Sequence, residues 1–131
     1  MGIVLVLDDE LDILNLVRII LSQKGYNVQA TSRIDEFYSL LEEDVKLILL
    51  DIVMPEKTGI EICRELKKNP KTTNIPVIIF SASGSAEKRD AAIQAGADAF
   101  LLKPFSITQL TDIVNKYYPL SPNSEKNERN V

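Results

Sequence analysis

Short apolar runs alternate with amphipathic segments along most of the chain. The strand-length runs are IVLVL (3–7), YNVQA (26–30), KLILL (46–50), PVIIF (76–80) and AFLL (99–102). The first, third and fourth runs are continuous and aliphatic, as expected of strands that helices cover on both faces. YNVQA alternates apolar and polar residues instead, which favours a position at the edge of a sheet.

Helical patterns occupy the intervals between these runs. Residues 11–24 place their aliphatic side chains on one stripe, and Gly25 follows where a left-handed C-terminal residue is expected. Another helix is predicted at about 85–95, ending at Gly96. Three further helix starts have capping-box spacing, the first only loosely: Ser32-x-x-Asp35, Thr58-x-x-Glu61 and Ser106-x-x-Gln109.

A strand followed by a helix, repeated five times, predicts an α/β fold. Such an alternation builds an open, doubly wound parallel sheet with right-handed crossover connections. All the strands then end at the same edge of the sheet, and ligands of such folds bind there.

Composition narrows the possible functions. The 131 residues are 45% hydrophobic and 26% charged, which suits one well-packed domain. The net charge of -4 and the pI near 4.9 argue against direct binding of nucleic acid, which requires clustered Lys and Arg. The single cysteine, Cys63, and the lack of histidine exclude an internal disulfide and a zinc cluster.

The sequence has neither the pattern of a signal peptide nor an apolar run of membrane-spanning length. We therefore expect a cytoplasmic protein without membrane insertion. After Tyr118 the composition changes to PLSPNSEKNERNV, which is polar and without periodicity. This segment, residues 119–131, is predicted to be a disordered tail.

Polar side chains follow four of the five apolar runs: Asp8 and Asp9, then Asp51, Ser81 and Lys103. Neighbouring strands lie about 4.8 Å apart, so these side chains are expected within roughly 5–10 Å of one another. Two carboxylates about 5 Å apart repel by roughly 3 kcal/mol at an effective dielectric near 20, so the cluster must bind a proton or a cation. Oxygen ligands alone suit Mg²⁺ first, with Mn²⁺ or Ca²⁺ also tolerated.

Such a site is suited to phosphoryl transfer. Mg²⁺ would draw charge from the phosphoryl oxygens, Lys103 would pair with another oxygen, and a carboxylate could accept the group as an acyl phosphate. Asp51 is the expected acceptor because it follows the middle strand, whereas the pair Asp8 and Asp9 suits a metal. Each residue alone would have an ordinary structural role, such as a turn former or a helix cap. Their joint position at one edge of the sheet favours a functional site instead.

Four blocks resemble the signature blocks of the response-regulator receiver domain of two-component signalling: LVLDDE (5–10), LLDIVMPEKTG (49–59), IIFSAS (78–83) and GADAFLLKPF (96–105). The resemblance covers residues 3 to about 118 and implies a receiver domain at 1–118. It also implies a flavodoxin-like (βα)5 fold with strand order 2-1-3-4-5 and helices on both faces. The chain would act as a single-domain regulator or as one part of a longer one.

The resemblance also implies how the acidic residues act. Asp51 would take a phosphoryl group from a phosphohistidine on a histidine kinase or a histidine phosphotransfer protein. Asp9, Asp51 and the main-chain carbonyl of Val53 would hold Mg²⁺, with Asp8 assisting through water. The protein would then be a signalling switch rather than an enzyme, catalysing only its own phosphoryl transfer and slow dephosphorylation.

Three further residues would form the switch. The Ser81 hydroxyl would move to bond the phosphoryl group, and the Phe100 ring would turn into the space that it leaves. Lys103 would point inward through a cis peptide bond to Pro104. The fourth helix, fifth strand and fifth helix would then present a different face to a downstream protein, and the domain would be a monomer or a weak homodimer.

Two other functions fit the residues less well. A constitutive receiver-like interaction module would typically lack the acceptor, one of the other acidic residues or the lysine, and all are present here. A metal-dependent phosphatase of similar topology would usually have a carboxylate two residues after the nucleophile, where this chain has Val53. Neither Val53 nor Ser83 could orient an attacking water, so a long-lived phosphoryl group is expected.

Overall fold

The computed structural model describes residues 2–120, which form five strands and five helices in strict alternation. The elements are β1 Ile3–Leu7, α1 Leu11–Gln23, β2 Asn27–Thr31, α2 Ile34–Leu40, β3 Val45–Asp51, α3 Gly59–Lys68, β4 Val77–Ser81, α4 Ala86–Gln94, β5 Ala99–Leu102 and α5 Ile107–Tyr117. Of the predicted tail, residues 121–131 lie outside this description. No helix within residues 2–120 is long and apolar enough to cross a membrane.

The five strands form one parallel sheet in the order β2-β1-β3-β4-β5, which confirms the predicted topology. Helices cover both faces. One apolar cluster packs α1 and α5 against the sheet, and a second packs α2, α3 and α4 against the opposite face. Side chains that alternate along β1 enter the two clusters in turn, so the central strands need apolar residues at almost every position.

Burial explains why the strand patterns differ. Every residue of β1 and β4 is buried, and in β3 only Lys46 is exposed. β2 lies at the edge of the sheet and keeps its alternation of exposed and covered residues. Its bounds are one residue later than predicted: Tyr26 precedes the strand, and its amide donates to the Leu21 carbonyl of α1 at 3.1 Å.

Two of the three capping boxes are confirmed. The side chains of Thr58 and Ser106 each accept a hydrogen bond from the backbone amide three residues on. The side chains of Glu61 and Gln109 in turn accept from the amides of Thr58 and Ser106. The prediction for Ser32 is wrong. The residue at the N-cap of α2 is Arg33, which makes no side-chain cap.

The helix begins one residue later than a cap at Ser32 requires. Asp35 Oδ1 accepts from the Glu36 amide at 2.8 Å, and Thr31 Oγ1 accepts from the Arg33 amide at 3.1 Å, so neither bond involves Ser32. The glycines predicted at two helix ends do have the expected backbone. Gly25 and Gly96 have φ angles of 99° and 97°, in the left-handed region that glycine favours.

Candidate functional site

Three strands bring Asp8, Asp51 and Lys103 together at the edge where the strands end. Asp51 is the last residue of β3, Asp8 follows β1, and Lys103 follows β5. Lys103 Nζ lies 2.9 Å from Asp8 Oδ2 and 3.3 Å from Asp51 Oδ1. Both carboxylates are buried, and the lysine side chain is only 9% exposed. The structure therefore places a buried ion cluster where the sequence predicted one.

The carboxylates of Asp8, Asp9 and Asp51 form an oxygen-only group suited to a hard cation. One oxygen from each lies within 4.8 Å of the others. Asp8 Oδ2 is fully buried and, apart from its ion pair with Lys103, accepts no hydrogen bond in the described structure. A buried carboxylate oxygen without a hydrogen bond is costly, and a divalent cation would satisfy it. The residues present therefore fit Mg²⁺ or Mn²⁺.

The charges in this cluster are not balanced. Burial and the nearby charge of Asp8 raise the pKa of Asp51 to about 7, and the attraction of Lys103 offsets this only in part. Burial alone would lower the pKa of Lys103, but contacts with Asp8 and Glu10 outweigh it and hold the pKa above the ordinary value for lysine. Lys103 therefore keeps its positive charge, whereas the pKa of Asp51 lies near neutral pH.

Glu10 is a fourth acidic residue of the site that sequence reasoning did not assign to it. Its Oε1 lies 3.0 Å from Lys103 Nζ, although its side chain is 61% exposed. The only sequence signal is its place directly after Asp8 and Asp9. That position equally suits the N-terminus of a helix, and Glu10 is in fact the N-cap residue of α1.

Ser81 lies at the same edge, but its hydroxyl is bonded within its own loop. Ser81 Oγ donates to the Ser83 carbonyl at 2.9 Å and accepts from the Ser83 amide at 3.0 Å. The Ser81 carbonyl accepts from the Lys103 amide at 2.7 Å, which links the ends of β4 and β5. The Lys103–Pro104 bond is cis, as expected.

Phe100 lies on β5, one side of its ring packed against the cluster beneath α2, α3 and α4. The guanidinium of Arg89, on α4, lies over the ring at 5.2 Å from its centroid. The ring is only half-buried. Phe100 therefore bridges the interior and the face formed by α4, β5 and α5.

The loop between β3 and α3 is fixed at both ends. Gly59 donates its amide to the Ile52 carbonyl at 2.9 Å. Lys57 pairs with Glu65 at 2.6 Å, and the Tyr38 hydroxyl donates to the same carboxylate at 2.7 Å. Within this loop, Val53 has a 66% exposed side chain two residues after Asp51.

The fold and the acidic site together define a signalling module. Residues 4–115 match the family described as the response regulator receiver domain, which is nearly the whole chain. The chain belongs to this family.

Curated relatives agree with this assignment. The transcriptional regulatory protein CpxR of Escherichia coli (strain K12) is 32% identical over 130 residues, which is 99% of this chain and 55% of CpxR. ResD of Bacillus subtilis (strain 168) is 38% identical over 104 residues, which is 79% of this chain and 42% of ResD. The chain thus spans about half the length of the curated relatives that it matches.

Solved structures show the same fold. The chemotaxis protein CheY4 of Vibrio cholerae superimposes with a TM-score of 0.83 at 25% identity, covering 89% of this chain and 98% of CheY4. The Mn(2+)-bound form of the response regulator Rcp1 superimposes with a TM-score of 0.80 at 20% identity, covering 92% of this chain and 98% of Rcp1.

Proposed function

We propose that this domain is a phosphorylation-controlled switch in which Asp51 is the phosphoryl acceptor. The observation that carries the proposal is the convergence of Asp8, Asp51 and Lys103 from three strand ends, with the ammonium 2.9 Å and 3.3 Å from the two carboxylates. Asp51 is the central member of this group, and a cation beside an acceptor carboxylate can stabilise the charge of an arriving phosphoryl group.

The proposed transfer conserves atoms and charge. An oxygen of the Asp51 carboxylate attacks phosphorus, and the bond from phosphorus to the donor's imidazole nitrogen breaks. The electron pair stays on that nitrogen. In the slow hydrolysis that ends the activated state, water attacks phosphorus and the bond from phosphorus to the Asp51 oxygen breaks. The electron pair stays on that carboxylate, and inorganic phosphate leaves with the proton of the water. These 131 residues contain no histidine, so the proposed donor is a phosphohistidine outside them, on a histidine kinase or a histidine phosphotransfer protein.

Mg²⁺ is the proposed cofactor, and Mn²⁺ is a suitable substitute. Asp9, Asp51 and the main-chain carbonyl of Val53 are its proposed ligands, with Asp8 assisting through water. The metal would supply positive charge to the phosphoryl oxygens. Support comes from the mutual proximity of the three carboxylates and from the buried Asp8 oxygen.

Ser81, Lys103 and Phe100 are the proposed switch residues. Lys103 bonds the phosphoryl group, and Ser81 leaves the Ser83 backbone to do the same. Phe100 then turns inward and leaves Arg89, which changes the face formed by α4, β5 and α5. The helices α4 and α5 already expose apolar side chains, Ile93 with 63% and Ile107 with 59% exposure. We propose a downstream protein as its partner and a monomer or weak homodimer as the assembly.

Intact-mass spectrometry after incubation with acetyl phosphate and Mg²⁺ tests the acceptor. We expect a gain of one phosphoryl group that requires the metal. Asp51→Asn should prevent the gain while keeping the circular dichroism spectrum. A folded Asp51→Asn variant that is still labelled at one residue would contradict the assignment of Asp51. If the parent protein takes up nothing from acetyl phosphate or from a phosphohistidine donor, the constitutive interaction module becomes the better description.

Hydrogen exchange measured by mass spectrometry tests the switch. Phosphorylation should change exchange in peptides of α4, β5 and α5 but leave those of α2 unchanged. The matched control is Asp51→Asn incubated with the same donor, which should show no change. Changes confined to the loops that carry Asp51 and Ser81 would contradict a switch that reaches the distant face.

A further inference from the structure

We infer that Glu10 is a positioning residue that holds Lys103 before phosphorylation and releases it to the phosphoryl group. This inference rests on the proposed function, because it concerns how Lys103 reaches a group on Asp51. It begins with the ion pair between Glu10 and Lys103, whose atoms lie 3.0 Å apart.

The ammonium of Lys103 has as many close carboxylate partners as it has protons. An ammonium offers three donors. Its nitrogen lies 2.9 Å from Asp8, 3.0 Å from Glu10 and 3.3 Å from Asp51. Two of these contacts, with Glu10 and Asp51, are hydrogen bonds, and a phosphoryl oxygen that hydrogen-bonds Lys103 competes with them for its protons.

Burial decides which contact is lost. Asp8 is fully buried, so bulk water cannot take the place of the ammonium at its carboxylate. Asp51 itself carries the incoming group. The Glu10 side chain is 61% exposed, so water can replace the ammonium at its carboxylate. Glu10 is thus the partner that Lys103 exchanges for the phosphoryl group.

The backbone of Glu10 is fixed while its side chain is free to move. Its amide donates to Asp8 Oδ1 at 2.9 Å, and its carbonyl accepts from the Leu14 amide at 3.1 Å. The carboxylate consequently stays at the mouth of the site whether or not it holds Lys103. Before phosphorylation it competes with the donor's phosphoryl group for the same ammonium.

Removing this competitor should accelerate phosphorylation. An exposed ion pair of ordinary strength corresponds to a factor of roughly two to five in rate. We therefore expect the second-order rate constant with acetyl phosphate and Mg²⁺ to rise roughly twofold to fivefold in Glu10→Gln. The experiment is a time course of phosphoryl gain by intact-mass spectrometry.

Two further variants separate the contact from the charge. Glu10→Asp keeps the negative charge but is one methylene shorter, so it cannot make the same contact with Lys103. It should behave like Glu10→Gln. Asp12→Asn removes an exposed negative charge in the first turn of α1, where the structure shows no contact with Lys103, and should leave the rate unchanged.

The outcomes are distinct. An unchanged or slower rate in Glu10→Gln, with a parent protein that is phosphorylated, overturns this inference alone. A Glu10→Asp variant with the parent's rate, or an equal acceleration in Asp12→Asn, also overturns it, because the effect would then be one of charge near the site. A parent protein that takes up no phosphoryl group overturns the proposed function and this inference together. Equal thermal midpoints would show that all variants are folded.

Discussion

Gly59 packs against the backbone carbonyl of Asp51 so closely that a Cβ atom at this position would collide with that carbonyl. The contact joins the first residue of α3 to the last residue of β3. This close contact next to the proposed acceptor is possible only because residue 59 has no side chain. A β-carbon there would force the strand or the helix to move.

Gly59→Ala should accordingly lower the free energy of unfolding by about 1–3 kcal/mol, as overpacking does in other interiors. Helix propensity alone predicts the opposite sign, because alanine favours a helix over glycine. Urea unfolding followed by circular dichroism measures the difference. Gly84→Ala is the matched control: its Cβ would meet only the Leu102 side chain, at 3.3 Å, so a small change is expected. A stabilised Gly59→Ala variant would disprove the close contact.

The sequence predicted the features that depend on the strands. Continuous apolar runs indicate strands covered on both faces, and parallel strands end at one edge, so Asp51 and Lys103 could be placed together from the sequence. Contacts made by long side chains were not predictable. Lys67, on α3, donates to the Ile75 carbonyl at 2.8 Å and pairs with Asp98 at 3.1 Å, and no pattern in the sequence indicates either contact. Glu10 was missed because its contact with Lys103 depends on a rotamer.

The three predicted helix caps can be compared by mutation, because two of them are present and the one at Ser32 is absent. Thr58→Ala and Ser106→Ala should each cost about 1 kcal/mol, since each hydroxyl accepts a hydrogen bond from an amide in the first helical turn. Ser32→Ala should change stability by less than about 0.5 kcal/mol, because the described structure shows no cap from this residue. Urea unfolding of the three variants is the measurement. If Ser32→Ala lost as much stability as the other two variants, Ser32 would have to be a cap of α2.

The raised pKa of Asp51 makes the site a source of instability at neutral pH when no metal is bound. The ordinary pKa of an aspartate side chain is 3.8, and that of Asp51 in the folded protein is about 7, so the folded state holds the proton more tightly. The stability associated with that proton is fully present below about pH 4 and is lost as pH rises through 7. Asparagine imitates the neutral form at every pH.

Asp51→Asn should therefore be more stable than the parent protein by about 1–3 kcal/mol at pH 8 in the presence of a chelator. The difference should shrink as pH falls from 7 towards 4. Urea unfolding at several pH values measures it. Asp12→Asn is the control for loss of an exposed carboxylate and should show no such gain. A less stable Asp51→Asn variant at pH 8 would mean that the Lys103 ion pair outweighs the burial of the carboxylate.

The lifetime of the phosphoryl group should depend on Val53. An attacking water is oriented best by a polar side chain near phosphorus, and Val53 offers none although its side chain is 66% exposed at the site. We expect the phosphoryl group on Asp51 to last for minutes or longer in the isolated protein. Val53→Asn should shorten its half-life by roughly threefold or more, because the amide can hold a water in place.

The measurement is the decay of phosphorylated protein by intact-mass spectrometry after the donor is removed. Val53→Leu is the matched control: it changes the shape of the same exposed side chain without adding a polar group, so it should keep the parent's half-life. Because position 53 is exposed, neither substitution should disturb packing. A half-life of seconds in the parent protein would show that another group already orients the water. Equal shortening by Asn and Leu would show that shape, rather than an amide, controls access to phosphorus.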